Sequence, residues 1–286
     1  MEYFVIGKGH QTIVIEIGIG NSFYNWFPFI DQIKGDYKIV IYHRAGYGNS
    51  RESAKSRTAV NIAEELNELI EELDIEEKFL LLGHSFGGLC AQQYAKMYPK
   101  KLIGVILVDA TSPNFQRLYD LHLPVMYTMI SLDKIIESNI ESSQKATKEL
   151  SDTFSEMVKE YKNFLSEKDG ENFREFISNP LLFRTVANEF SNWAKSSQLI
   201  KESGEFPNIP LTVIARDKEF AATPYIEHGI PSSEATLHEE VWRELQIELA
   251  GLSSKGKLVI AEDSDHEIHR DRPDILIQSI EEMLYK

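Results

Sequence analysis

The chain has 286 residues, of which 42% are hydrophobic and 26% are charged, and its 30 basic and 45 acidic side chains give a formal net charge of −15. This length suits one large α/β domain or two small ones, and the composition excludes a fibrous or largely disordered chain. The negative charge would repel both nucleic-acid phosphates and anionic lipid surfaces, so neither is an expected partner.

The sequence favours a soluble protein of a reducing compartment. No apolar run approaches the roughly 20 residues that a membrane-spanning helix needs. The chain enters a strand-like stretch directly after Met1, without the basic and apolar segments of a secretory signal. Cys90 is the single cysteine, so no internal disulfide can form. We expect a cytoplasmic location, and the oligomeric state stays open.

Apolar runs of strand length alternate with helical patterns at both ends of the chain, which is typical of a mostly parallel sheet covered by helices. The predicted strands are residues 12–17, 37–42, 79–82, 102–108, 211–215 and 257–261. Residues 3–6 are expected to pair antiparallel with the first of these through a turn at residues 7–9, and to form an edge. Helices are predicted at residues 59–73, 87–97 and 239–250, and from Pro273 onwards.

The middle of the chain differs in composition. Residues 113–207 are rich in Lys, Glu, Ser and Asn, show no convincing strand, and have helical spacing at residues 126–140 and 154–164. This segment far exceeds ordinary loop length. We predict that residues 1–112 and 208–286 form one core domain, into which residues 113–207 are inserted as a helical cap or lid.

The strongest chemical signal is the stretch Leu82-Gly83-His84-Ser85-Phe86-Gly87-Gly88, a G-x-S-x-G pattern between a predicted strand and a predicted helix. A strained turn of this kind exposes the serine Oγ, and Cβ atoms at positions 83 and 87 would collide with neighbouring backbone. The amino end of the following helix would favour developing negative charge. Ser85 is therefore the predicted nucleophile, the alternative being a glycine-rich turn that only permits close packing.

A serine nucleophile needs a general base, and His266 lies in the loop between the last predicted strand and the last predicted helix. His269 is the competitor, but it lies closer to Pro273 and is expected to pack at the helix start. The other histidines outside the G-x-S-x-G pattern show no metal-ligand spacing. We expect neither a metal nor an organic cofactor.

These residues resemble the α/β-hydrolase superfamily, and the resemblance extends across nearly the whole chain. Residues 16–22 are similar to its oxyanion loop, residues 42–50 to its D-R-x-G-x-G-x-S loop, and residues 264–273 to its S-G-H-x-x-H…P ending. His43 replaces the usual aspartate of the second loop, and Asp265 replaces the usual glycine before the histidine. Neither change removes a catalytic group.

The resemblance implies an α/β-hydrolase fold with a helical cap over the catalytic site. It also implies an oxyanion hole formed by the backbone N–H groups of Ile19 and Phe86. Substrate contacts are expected at Gly18, Gly20 and His84.

The acid that orients His266 has three candidates at strand ends. Asp217 and Glu219 follow the strand predicted at residues 211–215, which is the commonest position in the superfamily. Asp109 follows the strand at residues 102–108, the position used by a minority branch that includes haloalkane dehalogenases. We place Asp109 first and keep Asp217 and Glu219 as alternatives. Because Ser85 is not a carboxylate, dehalogenation itself is disfavoured.

The sequence predicts a serine hydrolase that cleaves a small carboxylic ester or related acyl substrate through a Ser-His-acid triad and an acyl-enzyme. The alternatives on the same triad are a C–C bond hydrolase, a thioesterase, an amidase and an acyltransferase. A non-enzyme alternative is a ligand sensor that keeps the triad. The acidic run at residues 64–72 is interpreted as a solvated helix face.

Overall fold

The computed structural model describes residues 1–285, and these contain a seven-stranded sheet. The predicted strands are confirmed to within about two residues at each end. Their bounds are β1 (Glu2–Ile6), β2 (Gln11–Glu16), β3 (Tyr37–His43), β4 (Phe79–His84), β5 (Leu102–Val108), β6 (Leu211–Arg216) and β7 (Gly256–Ala261). The order across the sheet is β1-β3-β2-β4-β5-β6-β7, with β1 antiparallel and all other neighbours parallel.

The first strand forms an edge as predicted, but the partner predicted for it is wrong. β1 pairs antiparallel with β3, from Glu2 opposite His43 to Ile6 opposite Ile39, and not with β2. The link between β1 and β2 passes over the start of β3: a Cβ on Gly7, whose φ is +87°, would lie 2.1 Å from the carbonyl oxygen of Tyr37. This close crossing places β3 between the two strands, so they cannot form a tight hairpin.

Helices cover both faces of the sheet and fill the segment between β5 and β6. Their bounds are α1 (Phe27–Ile33), α2 (Ala59–Glu72), α3 (Phe86–Met97), α4 (Gln116–Tyr119), α5 (Pro124–Met129), α6 (Leu132–Ser142), α7 (Thr147–Thr153), α8 (Ser155–Lys162), α9 (Glu167–Ile177), α10 (Pro180–Ser191), α11 (Trp193–Glu202), α12 (Lys218–Glu227), α13 (Ser232–Ala250), α14 (Ile268–Asp271) and α15 (Pro273–Tyr285). The helix predicted at residues 239–250 starts earlier, at Ser232, and the helical pattern at residues 126–140 is split at Ile130 and Ser131, where the Ser131 side chain caps α6.

The strand side chains alternate between two hydrophobic clusters, as expected for a sheet buried on both faces. Val14, Val40 and Leu81 pack on the face covered by α2 and α3, whereas Ile13 and Ile15 point to the opposite face. Within residues 1–285, no helix is long and apolar enough to cross a membrane.

The helical segment from α4 to α11 contributes to the hydrophobic cluster that contains Ile13 and Ile15. Its buried side chains Leu150, Phe173 and Phe183 belong to the same hydrophobic cluster as Ile13 and Ile15 of β2. In the described part of the chain, residues 113–207 contain no strand. The segment therefore shares a hydrophobic core with this face of the sheet.

Candidate active site

Ser85 lies at a strained turn between β4 and α3, with φ 54° and ψ −124°. The turn is compressed between neighbouring elements: a Cβ on Gly83 would lie 2.8 Å from Gly87 O, and a Cβ on Gly87 would lie 2.2 Å from Glu16 O. This confirms that both flanking glycines are needed for close backbone approach. The Ser85 N–H donates to Val108 O at 3.1 Å, which ties the turn to the end of β5.

The loop after β2 lies directly against this turn. A Cβ on Gly18 would be 3.3 Å from the Cβ of Ser85. Phe86 is the first residue of α3, so its backbone N–H has no acceptor within the helix. The next loop residues, Ile19 and Gly20, are half-buried, and the Gly20 N–H donates to the hydroxyl of Tyr47 at 2.7 Å.

His266 lies in the loop between β7 and α14, and its side chain contacts Asp109 at the end of β5. The two atoms that meet are His266 Nδ1 and Asp109 Oδ2, 2.6 Å apart. The His266 side chain is 34% exposed, whereas that of Asp109 is fully buried. Asp109 has φ 41°, a left-handed conformation that aspartate tolerates better than most residues.

The two groups change each other's ionisation. Burial lowers the pKa of His266, but the hydrogen bond and the negative charge of Asp109 outweigh burial and leave this pKa raised. Burial raises the pKa of Asp109, but the positive charge of Arg216 and the hydrogen bond to His266 hold this pKa well below its usual range. Asp109 is therefore ionised at neutral pH.

The other two candidate acids lie elsewhere. The Asp217 carboxylate accepts hydrogen bonds from the backbone N–H groups of Glu219 and Phe220 at 3.0 and 3.3 Å, and so caps α12. Glu219 is exposed and lies 3.5 Å from the ammonium group of Lys218. Of the three carboxylates, Asp109 is the one in contact with His266.

His84 and His269 lie among buried polar groups next to the loop after β2. His84 Nε2 lies 3.0 Å from the carbonyl oxygen of His266, and His269 Nε2 lies 3.3 Å from Glu267 Oε2. The His269 ring stacks on Trp26 with 3.8 Å between the ring centroids. His269 is the second residue of the short helix α14, which precedes the helix predicted from Pro273. His84 is fully buried and supports the His266 loop, so we do not place it among the substrate contacts.

His84, Glu267 and His269 are also the described residues that could hold a metal ion, since one ligand atom of each lies within 4.8 Å of the others. Two imidazoles and a carboxylate would suit Zn²⁺. Burial and the charge of His84 lower the pKa of His269 to about 3, although the charge of Glu267 acts in the opposite direction. The surrounding histidines hold the pKa of Glu267 at about 2 despite its burial. Asn21 donates to Glu267 Oε1 at 3.4 Å, whereas Glu267 Oε2, His84 Nδ1 and both ring nitrogens of His269 are buried without a hydrogen-bond partner among the described residues.

The two departures from the superfamily pattern have structural partners. His43 Nδ1 lies 2.7 Å from Glu2 Oε2, and its ring stacks on Phe23 with 3.6 Å between centroids. The Asp265 carboxylate accepts a hydrogen bond from the backbone N–H of His266 at 2.7 Å. Asp265 therefore caps the loop that holds the imidazole.

Comparisons with known proteins agree with this fold. A thermophilic esterase from Thermogutta terrifontis superposes with a TM-score of 0.64 at 18% identity, covering 99% of this chain and 92% of the esterase. A model of the alpha/beta hydrolase fold matches residues 11–130. The chain has the α/β-hydrolase fold. Two relatives match over most of its length. YqjL of Bacillus subtilis is 25% identical and covers 94% of this chain and 82% of the relative. A proline iminopeptidase of Saccharolobus solfataricus is also 25% identical, and the match covers 99% of this chain and 87% of the iminopeptidase.

Sequence reasoning missed a buried arginine beside Asp109. Arg216 ends β6, and its Nη1 lies 3.0 Å from Asp109 Oδ2. Its Nε and Nη2 each donate to Glu239 at 2.8 Å. Trp242 donates to the other oxygen of Asp109 at 2.8 Å. The available signal was an arginine at the end of an apolar strand, next to candidate acids.

A second buried network joins the helical segment to the loop after β2. Arg44 is fully buried and donates to the backbone oxygens of Ile17 and Gly18 at 2.6 and 3.1 Å. It also forms ion pairs with Glu16 at 2.7 Å and with Glu189 of α10 at 2.9 Å. Tyr47 donates to Glu189 at 2.6 Å while it accepts from the Gly20 N–H. A carboxylate of α10 is thus part of the support of the loop beside Ser85.

We expect Glu189→Gln to reduce the free energy of unfolding by about 3 kcal/mol or more, because it leaves the buried Arg44 with one carboxylate fewer. Urea unfolding measures this change. Glu52→Gln is the matched control, since it removes an exposed ion pair between the core and Arg184 of the same helix, 2.8 Å apart. The control should change stability by less than about 1 kcal/mol. Equal effects of the two substitutions would contradict the prediction.

Proposed function

We propose that this α/β-hydrolase is a serine hydrolase that cleaves a small carboxylic ester or related acyl compound, with Ser85 as nucleophile, His266 as base and Asp109 as acid. The observation that carries the proposal is the 2.6 Å contact between His266 Nδ1 and a fully buried Asp109 carboxylate. This contact lies beside the strained turn of Ser85: the rings of His84 and His266 are 4.7 Å apart. The structural likeness to the Thermogutta esterase supports the substrate class.

In the proposed mechanism, His266 Nε2 takes the proton of the Ser85 hydroxyl as Oγ attacks the substrate carbonyl carbon. The oxyanion is held by the backbone N–H groups of Ile19 and Phe86, and Asp109 stabilises the imidazolium that forms. His266 then gives its proton to the leaving alcohol. Water, deprotonated by His266, attacks the acyl-enzyme and releases the acid.

The helical segment at residues 113–207 acts as a cap in this proposal. Glu189 of its helix α10 binds Arg44 and Tyr47, which in turn hydrogen-bond to the proposed oxyanion loop. Trp193 of α11 packs on Phe86 with 6.2 Å between ring centroids. Side chains of the cap therefore reach the residue that follows the nucleophile. The acyl and alcohol pockets are expected between these helices and Ser85.

A fluorophosphonate tests the proposed nucleophile without knowledge of the natural substrate. We expect stoichiometric labelling of wild-type protein, with the phosphonyl adduct on the peptide that contains Ser85. Intact-mass and peptide mass spectrometry measure both. Saturating stabilisation by esters without labelling or turnover would instead favour the ligand-sensor alternative.

We expect kcat/KM for a p-nitrophenyl ester to fall with decreasing pH through an apparent pKa above 6.5, because the neutral imidazole is the base and the contact with Asp109 raises the pKa of His266. A pH-rate profile measures this acid limb. The same shift stabilises the folded state below the pKa of an unfolded histidine, and this contribution is lost as pH rises through the folded-state pKa. Protonation of His266 therefore reduces activity without promoting unfolding. An acid limb well below 6.5 would contradict the prediction.

A further inference from the structure

The proposed mechanism gives no role to the guanidinium of Arg216. Arg216 is 6% exposed, and Asp109 and Glu239 are fully buried. Arg216 Nη1 lies 3.0 Å from Asp109 Oδ2 and 3.4 Å from His266 Nδ1. The oxygen that accepts from the imidazole is thus the same oxygen that contacts a permanent cation.

Three side chains of α13 hold the arginine in this place. Glu239 of α13 binds it through two hydrogen bonds of 2.8 Å. The indole of Trp242 lies under the guanidinium at 4.7 Å and donates to the second oxygen of Asp109. Arg243 donates to the backbone oxygen of Arg216. A bidentate, stacked arginine has little freedom to move away from the carboxylate.

The charge of this arginine changes what Asp109 can do for His266. In a Ser-His-Asp triad the carboxylate orients the imidazole and offsets the charge of the imidazolium. A cation on the same oxygen weakens that offset, and a second carboxylate, Glu239, in turn reduces the effect of the cation. Base strength at His266 therefore depends on the balance of Asp109, Arg216 and Glu239.

On the basis of the proposed function, we propose that Arg216 is a positioning residue that fixes Asp109 and, in balance with Glu239, sets the pH range in which His266 acts as a base. The positive charge of Arg216 lowers the pKa of His266, in opposition to Asp109. Other titratable groups face these residues from the surrounding elements: His238 of α13, Tyr225 of α12, His84 of β4, and Asp265 and Glu267 of the His266 loop.

The test compares removal of the cation together with its counter-ion and removal of the counter-ion alone. Arg216→Met combined with Glu239→Gln replaces the buried pair by neutral groups, so that Glu239 is not left as an unpaired charge, while Asp109 keeps His266 and Trp242 as partners. We expect the acid limb of kcat/KM to move to higher pH by about one unit, since a cation at hydrogen-bond distance typically shifts a pKa by this amount or more. Glu239→Gln alone keeps Arg216 and removes the charge that offsets it, so the limb should move to lower pH. Arg216→Lys, which retains the charge, should keep the limb within about 0.3 units of wild type.

NMR titration of the His266 imidazole gives a second readout that does not require turnover. The resonance is assigned by comparison with His266→Gln, and the midpoints of wild type and the variants should shift in the same directions as the acid limb. The decisive result is a shift to higher pH in the double variant and a shift to lower pH in Glu239→Gln, because a purely structural role predicts no such reversal. If the double variant fails to fold, the shift of Glu239→Gln alone decides. Unmoved midpoints would overturn the role of Arg216, whereas absent ester turnover with shifted midpoints would overturn only the proposed function.

Discussion

Ser85→Ala is expected to lower kcat for p-nitrophenyl ester hydrolysis by at least about 10⁴-fold and to abolish fluorophosphonate labelling. The reason is local: the turn at Ser85 places its side chain beside Gly18 and the amino end of α3, and alanine has no hydroxyl to act as a nucleophile there. Steady-state kinetics and mass spectrometry measure the two losses. Residual activity would reflect the backbone donors of Ile19 and Phe86, which the substitution leaves intact.

The substitution should leave the fold unchanged. The contacts that hold the turn are made by the Ser85 backbone, whose N–H donates to Val108 O and whose carbonyl accepts from Thr111 N at 3.0 Å. We therefore expect a melting temperature within a few degrees of wild type. Ser254→Ala on the exposed surface is the matched control and should retain full activity. A Ser85→Ala protein that is folded and fully active would exclude the proposed nucleophile.

Much of this fold could be predicted from the sequence because the relevant signals are local. Apolar runs such as residues 102–108 have the length of a strand buried on both faces, and the alternation of these runs with helices leaves a parallel sheet as the main solution. The turn at Ser85 could also be predicted from the sequence, since Gly83 and Gly87 are required by backbone approaches of less than 3 Å. Ser85 and His266 each follow a parallel strand closely in sequence, which places both at the carboxyl edge of the sheet.

The remaining features depend on contacts between distant segments. Arg44 and Glu189 are 145 residues apart, and no local pattern indicates that a glutamate of α10 pairs with a core arginine. The partner of β1 was predicted wrongly because the crossing at Gly7 is a packing effect that hairpin rules do not contain. The choice of acid was open for a related reason: parallel strands β5 and β6 are adjacent, so both present a carboxylate at the same sheet edge. Sequence spacing cannot distinguish between them.

Asp109→Asn is expected to lower kcat by about 10⁴-fold, as the same substitution does in a serine protease with a Ser-His-Asp triad, where the amide stabilises the wrong imidazole tautomer. In this chain the amide can donate to His266 Nδ1 across the 2.6 Å contact, which leaves the proton of the imidazole on Nε2 and blocks its action as a base. Values of kcat measured at high pH, where His266 is deprotonated, give this loss separately from any change in the ionisation of His266.

Asp217→Asn is the matched control, because asparagine caps a helix about as well as aspartate and so keeps the start of α12 intact. We expect its kcat to stay within about twofold of wild type and its melting temperature to change little. Asp109→Asn also removes a charge next to the buried Arg216, so its unfolding must be followed by circular dichroism to separate loss of function from loss of structure. A folded Asp109→Asn enzyme with high activity, together with an inactive Asp217→Asn, would transfer the acid to the end of β6. The proposed role of Arg216 would then fail as well, since it requires that Asp109 be the carboxylate that serves His266.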